Sequence, residues 1–426
     1  MRHLYLAATG RNRGKTTVAL GLLAALVDRG LATGFIKPVG QRYAIVDGQP
    51  ADEDAILMRS ALGLSDPLSV MSPVHIPRGF TRAYIRGEIE VDLRQRIREA
   101  HERVSEGREA VLIEGTGHAG VGAVVELSNA TVARVLGAPA LIVSEAGVGR
   151  PIDEIVLNHA LFARHGVEVV GAIVNKVDAH AHPTLPEVLR DGLARHGIEL
   201  LGMIPFRPLL SNPTLSMLVE QMPGELLSAG PDLDRVIEHV AIGAMLPRHV
   251  LEHIGPGSLL IVPGDRSDVI GATLAALRAA RDGRPGRGLF GIGRRRGFGR
   301  APSDPRRTEL AGIVLTGGYR PRPRDLEQIR AAGIFCHSVE DETYAAASEI
   351  HDLLVKIHPA DGEKIALIRQ LVADHLDVER IYERFASLPP GPAEATADAR
   401  STAARPSISR LARSLRRLGR QARGSR

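Results

Sequence analysis

The stretch Tyr5-Leu6-Ala7-Ala8-Thr9-Gly10-Arg11-Asn12-Arg13-Gly14-Lys15-Thr16-Thr17 passes from an apolar strand, through a loop of glycine and arginine, into an Ala/Leu-rich helical run. A phosphate chain needs backbone N–H groups free of side-chain obstruction, a cation for its outer oxygens and a hydroxyl for Mg²⁺. Gly14 offers the first, Lys15 the second and Thr16 the third. Against the pattern G-x4-G-K-S/T, Thr9 stands where the first glycine belongs, and Gly10 comes one residue late. The competing reading is a strand–helix turn with a chance lysine. The strand before and the helix after are the context that phosphate binding requires. A nucleoside triphosphate is therefore the expected ligand, with Gly10, Gly14, Lys15, Thr16 and Thr17 as its candidate contacts.

The same strand–helix alternation continues through the first half of the chain. Apolar strands read at 3–8, 33–37, 110–114, 139–143 and 168–174, with a shorter one near 200–204. Helical patterns read at 15–29, 51–62, 92–106, 127–136, 152–165 and 184–195. Runs such as Ala110-Val111-Leu112-Ile113 are continuously apolar rather than alternating, which marks a parallel sheet buried on both faces. The expected fold class is α/β, a parallel sheet with helices on both faces, and ligands in such sheets sit beyond the carboxyl ends of the strands.

A chain of 426 residues exceeds one typical core, so two domains are expected. The pattern breaks around Glu225 to Pro231, and a second α/β unit reads from about 233 to 385. It holds strands at 258–262 and 311–315 and helices at 268–280, 322–332, 342–354 and 362–373. Residues 281–307 form a Gly/Arg/Pro-rich insertion without apolar period, expected to be disordered, as is the tail from Pro389. The net charge of +5 divides unevenly: 281–307 and 389–426 each carry +7, so the rest of the chain carries −9. In the tail, Ile408, Leu411, Leu415 and Leu418 share one stripe among arginines. That stripe suits an anionic surface, whether membrane, nucleic acid or an acidic partner, with a plain solvated tail as the competing reading. The single cysteine, Cys336, excludes an intramolecular disulfide and any multi-cysteine metal site. A strand beginning almost at Met1 leaves no room for a signal peptide, and no apolar run reaches the ~18–20 residues of a membrane span. A cytoplasmic protein is expected.

Several further residues suit nucleotide chemistry. Lys37 ends the second strand, where an ammonium can neutralise charge on a transferred γ-phosphate or hold an anionic substrate; an ordinary surface lysine is the alternative. Asp52, Glu53 and Asp54 open a helix, either as capping residues or, for Asp54, as part of a Mg²⁺ shell with Thr16. Glu114 directly follows a buried strand, where a metal-binding or water-orienting acid sits in phosphate-loop enzymes. Asn175 follows the strand at 168–174 and carries both donor and acceptor, as a purine edge requires. His118, in a glycine-rich string, is a candidate substrate contact or proton carrier.

With these residues assembled, 1–225 resembles the dethiobiotin synthetase-like branch of phosphate-loop NTPases, a group that includes cobyrinic acid diamide synthases and ParA/MinD-type ATPases. The motifs that carry the resemblance are Gly14-Lys15-Thr16, Lys37-Pro38-Val39, Asp54, Glu114-Gly115, Asn175 and Ile204-Pro205. It implies an ATP/Mg²⁺ site with Lys15, Lys37 and Glu114 in catalysis, Thr16, Asp54 and Glu114 on the metal, and Asn175 on the base. Residues 233–385 resemble the DRTGG-type domain that follows such a module in long bacterial phosphotransacetylases, through Gly264-Asp265-Arg266-Ser267-Asp268-Val269 and Leu315-Thr316-Gly317-Gly318-Tyr319. No acetyltransferase catalytic domain follows within these 426 residues, so acetyl transfer to phosphate is not expected of them. The segment 114–120 departs from the Gly-Gly-aromatic run of true dethiobiotin synthetases, and Gly10 replaces the second lysine of ParA/MinD loops, with Arg11 and Arg13 beside it. The resemblance implies ATP turnover on a carboxylate-like acceptor or a nucleotide-sensing role exerted through the second unit on a protein partner. A homodimer is expected in either case.

Overall fold

The computed structural model describes residues 2–388 apart from 41–42, 47, 78, 90, 179–182, 282–309, 352 and 354–356. Nearly all of the basic insertion and the whole tail, with its Ile408–Leu418 stripe, lie outside the described residues. Among the described residues no helix is long and apolar enough to cross a membrane.

The first sheet is built from strands β1 (Arg2–Ala8) and β2 (Thr33–Ile36) and four later ones. Short pieces follow β2: β3 (Val39–Gly40), a hairpin of β4 (Tyr43–Val46) and β5 (Gln49–Asp52), and β6 (Val74–His75), which pairs with β3. The remaining sheet strands are β7 (Ala110–Glu114), β8 (Ala140–Glu145), β9 (Val169–Val177) and β10 (Leu200–Pro205). Their order is β10-β9-β8-β1-β7-β2, all parallel. This order positions the site. β7 lies between β1 and β2, with Leu6 opposite Glu114 and Ile36 opposite Ile113. The phosphate loop, Lys37 and Glu114 therefore leave three adjacent strands at one carboxyl edge.

Two apolar layers cover the sheet. Helices 93–105, 129–135, 149–164 and 185–194 bury residues such as Ile97, Val132, Phe162 and Leu189 on one face. On the other lie α1 (Lys15–Asp28) and α2 (Glu53–Leu62), together with helices 362–375 and 378–387 from the far end of the chain. α1 is apolar almost all round because it is covered from both sides, by the sheet and by helix 362–375. A Cβ on Gly21 would lie 2.2 Å from Val372 Cγ2, so glycine permits this close crossing.

The second sheet contains β11 (Glu225–Ser228), β12 (His239–Ile242), β13 (Ser258–Pro263), β14 (Gly312–Thr316) and β15 (Phe335–Ser338), in the order β11-β15-β14-β13-β12. β11 is antiparallel and the others parallel. The stretch where the sequence pattern breaks, 225–231, thus contains an edge strand, half-exposed and too short to show a period. Helices 267–281 and 323–331 pack on one face, and 215–221 and 343–351 on the other. The fold is thus a parallel sheet with helices on both faces and a second α/β unit. Helices 362–375 and 378–387, which follow the second unit in sequence, return to the core of the first.

Candidate functional site

The loop between β1 and α1 is fixed from several sides. Thr9, at the first-glycine position, turns its hydroxyl inward to Ser144 Oγ at 3.1 Å, so the missing glycine leaves the buried start of the loop intact. Gly14 adopts φ 83°, and a Cβ there would lie 1.8 Å from Asn175 Nδ2. Only glycine fits both the left-handed backbone and that contact. Asn175 Nδ2 donates to the Arg13 carbonyl at 3.1 Å, and its Oδ1 accepts from Lys176 N at 2.9 Å. Lys176 Nζ donates to the Asn12 carbonyl at 2.8 Å. The end of β9 therefore clamps the loop, while Arg13 pairs with Glu145 and, at 3.6 Å, with Glu154.

At the adjoining strand ends, two ammonium groups and two carboxylates interlock. Glu114 is fully buried and accepts from Lys15, from Lys37 at 3.1 Å and from Thr16 at 2.9 Å. Asp54 accepts from Lys37 and lies 3.2 Å from the Thr16 hydroxyl. Lys37 is 4% exposed, which rules out the reading of an ordinary surface lysine. Asp52 is the cap of α2, accepting from Asp54 N at 3.0 Å, and so leaves the Asp54 carboxylate free to face the lysines. The capping and site roles are thus divided between Asp52 and Asp54.

Burial and charge set the protonation of this cluster. Burial lowers the Lys15 ammonium against the pull of Glu114. Burial also works against Lys37, but Asp54, Glu114 and Asp52 outweigh it and hold that ammonium well above the ordinary lysine value. Burial alone would raise Asp54, yet Lys37 and Lys15 beside it keep it well below the usual carboxylate range. Asp52 is pushed up to about 7, first by burial and then by the neighbouring Asp54 charge, with Lys37 opposing. The cluster is thus charged and internally compensated, as buried ions must be.

Oxygens of Thr16, Asp54 and Glu114 converge within hydrogen-bond distance, a hard donor set that suits Mg²⁺. Among the described residues the second carboxylate oxygen of Glu114, Oε2, is buried without a hydrogen-bond partner, an unmet acceptor beside this donor set. Lys15 lies on Glu114 and Lys37 bridges both acids, so an incoming phosphate would compete with carboxylates for these ammonium groups.

The segment after β7 is held by a residue that the sequence did not single out. Asn129 Oδ1 accepts from Tyr5 Oη at 2.9 Å and Thr116 N at 3.0 Å, while its Nδ2 donates to the carbonyls of Thr116 and His118. An Asn at a helix start reads as an ordinary capping residue, so no sequence signal marked it. His118 is exposed, its Nδ1 accepting from Gly120 N at 3.2 Å. In the second unit, Arg266 pairs with Asp268 at 2.8 Å. All the sequence-derived candidates for nucleotide and metal except Glu114 line one cleft of about 600 Å³, and Glu114 lies beneath it on Lys15, Thr16 and Lys37. The cleft is also lined by Arg207, Leu210, Ser211, His351, Leu353 and Ile357, which sequence reasoning did not assign to it.

The profile of the AAA domain family matches residues 2–214, and that of the DRTGG domain matches 217–353. Among curated proteins, the phosphate acetyltransferase of Nitrosomonas europaea is 26% identical over 398 residues, covering 90% of this chain and 52% of that protein. The phosphate acetyltransferase of Pseudomonas putida is 28% identical over 400 residues, with 90% and 52% covered. The chain spans about half the length of the curated relatives it matches. Among solved structures, the MinC:MinD cell division protein complex of Aquifex aeolicus aligns at 15% identity and a TM-score of 0.32, covering 49% of this chain and 84% of that one.

Proposed function

The chain belongs to the AAA domain family, with a DRTGG domain behind it, and from that premise we propose that it binds Mg·ATP and transfers the γ-phosphoryl group to water or a carboxylate-like acceptor. The observation that carries this reading is the convergence of Lys15, Lys37, Thr16, Asp54 and Glu114 at the loop glycine Gly14. Lys15 and Lys37 would bind the outer phosphate oxygens and stabilise charge as it moves. Thr16, Asp54 and Glu114 would hold Mg²⁺, which when bound neutralises phosphate charge. In the transfer, the bond from the γ-phosphorus to the bridging oxygen breaks, one to the acceptor oxygen forms, and ADP leaves. Positioning and electrostatics do the work, with no covalent protein intermediate.

Membership of the dethiobiotin synthetase-like branch is supported by the same residue set and by Asn175 at the loop. A second reading, nucleotide sensing with little turnover, is favoured by His351 and Leu353, which belong to the second unit yet line the cleft. Calorimetric ATP titration and phosphate release, with and without Mg²⁺, test both on the full chain. Under the first reading Lys15→Ala abolishes Mg²⁺-dependent release, and Lys37→Ala lowers it. Full turnover by Lys37→Ala removes that lysine from the proposed role. Tight ATP binding without release by the wild type moves the weight to sensing.

A further inference from the structure

The phosphate loop and its acids account for only part of the cleft. A cavity of about 600 Å³ falls in the range that encloses a whole small ligand, roughly 300–1,000 Å³. Beyond the loop, its lining combines aliphatic Leu210, Leu353 and Ile357 with the polar Arg207, Ser211 and His351. A flat heteroaromatic base needs such surroundings, with apolar faces above and below and a few donors and acceptors at its edge. A phosphate would need more fixed positive charge than Arg207 alone.

These side chains come from different parts of the fold. Leu210 and Ile357 pack on the core of the first unit. Leu353 packs with Ala346 and Ile350 in the core of the second, and His351 ends helix 343–351 on that unit. Each is anchored in its own core. Resting on the reading of the cleft as a nucleotide site, we propose that the nucleoside end of the nucleotide is held between the two units. His351 and Leu353 form one wall, and Leu210, Arg207 and Ile357 the other. Nucleoside recognition is then the point at which occupancy of the phosphate loop reaches the second unit.

The test compares Mg·ATP with Mg·tripolyphosphate, which carries the phosphates without the nucleoside, by calorimetry on the full chain. In His351→Ala and Ile357→Ser, ATP affinity falls about tenfold, the scale of a lost pocket contact, while tripolyphosphate affinity stays within about twofold of wild type. Amide exchange in helix 343–351 slows with ATP and not with tripolyphosphate. His351 is exposed, so its replacement carries the comparison even where Ile357→Ser unfolds. Unchanged ATP affinity in a folded His351→Ala, or equal losses for both ligands, overturns the proposal and leaves the phosphate-loop reading standing. So does a wild type that binds both ligands equally. A wild type that binds neither overturns both.

Discussion

Asp52 and Asp54 stand two residues apart at the start of one helix, yet their environments drive them in opposite directions. Asp54 faces Lys37 and is held ionised, whereas Asp52 is 3% exposed and pushed up to about 7 from its ordinary 3.8. A raised carboxyl keeps in the folded state a proton that the unfolded chain has already released. Between about pH 4 and 7 the folded state holds the extra proton, so this group's contribution to stability falls as pH rises through that window. Asp54 does the reverse, its contribution being present above the unfolded carboxylate value of 3.8 and lost as pH falls. Asp52→Asn separates the two effects, since an Asn amide caps a helix about as well as a carboxylate and carries no charge. The stability of the variant relative to wild type should rise by on the order of 2 kcal/mol between pH 5 and pH 8, read from urea unfolding at both values. A variant less stable than wild type at pH 8 would mean that the charge of Asp52 is needed by Lys37.

What could be read from the sequence, and what could not, follows from how each segment is buried. β1, β7, β8 and β9 are covered on both faces, so they appear as unbroken apolar runs, and α1 declares itself by following the loop. β11 and β12 lie at sheet edges with exposed residues such as Leu226 and Val240, and the β4–β5 hairpin is largely exposed, so none shows a buried period. Lys15, Thr16, Lys37, Asp54 and Glu114 were legible because each ends or directly follows a strand or opens a helix. Asn129 and His351 were not, since their partners are set by packing that one sequence cannot display. The crossing of α1 with helix 362–375 was equally hidden, and Gly21 is its marker. On helix propensity alone, Gly21→Ala should stabilise by about 1 kcal/mol. The new Cβ would meet Val372 Cγ2 at 2.2 Å, and overpacking of that kind costs about 1–3 kcal/mol. The expected result is a net loss of stability in urea unfolding. Combined with Val372→Ala, the loss should be smaller than the sum of the two single changes. A stabilising Gly21→Ala would show that the two helices part freely.

The chain leaves the first unit, builds the second, and comes back. Ile368, Leu371, Val372, Leu376, Val378, Ile381 and Phe385 are buried in the same core as Leu20, Leu23 and Leu26 of α1. Arg369 pairs with Asp28, and Arg380 and Arg384 pair with Glu199, so polar contacts follow the same seam. The match to the AAA domain family ends at residue 214, but the core it belongs to is completed about 150 residues later in the chain. Each buried aliphatic or aromatic side chain contributes roughly 1.5–3 kcal/mol, so the returning helices together contribute an amount comparable with a whole domain's typical net stability of about 5–15 kcal/mol. A chain ending at residue 353, which keeps the entire region matched by both domain families, should therefore lose cooperative unfolding of its first unit. It should also lose whatever nucleotide binding the full chain has. Adding a peptide of residues 357–388 should restore both, because what is missing is a covering layer and not a connection. Calorimetric unfolding of the shortened chain, alone and with the peptide, decides the point. A shortened chain that melts as the full one does would make the first unit self-sufficient and reduce the returning helices to a tether. Failure with rescue would establish a discontinuous folding unit, in which the helix that carries the phosphate loop is packed against the segment emerging from the second unit.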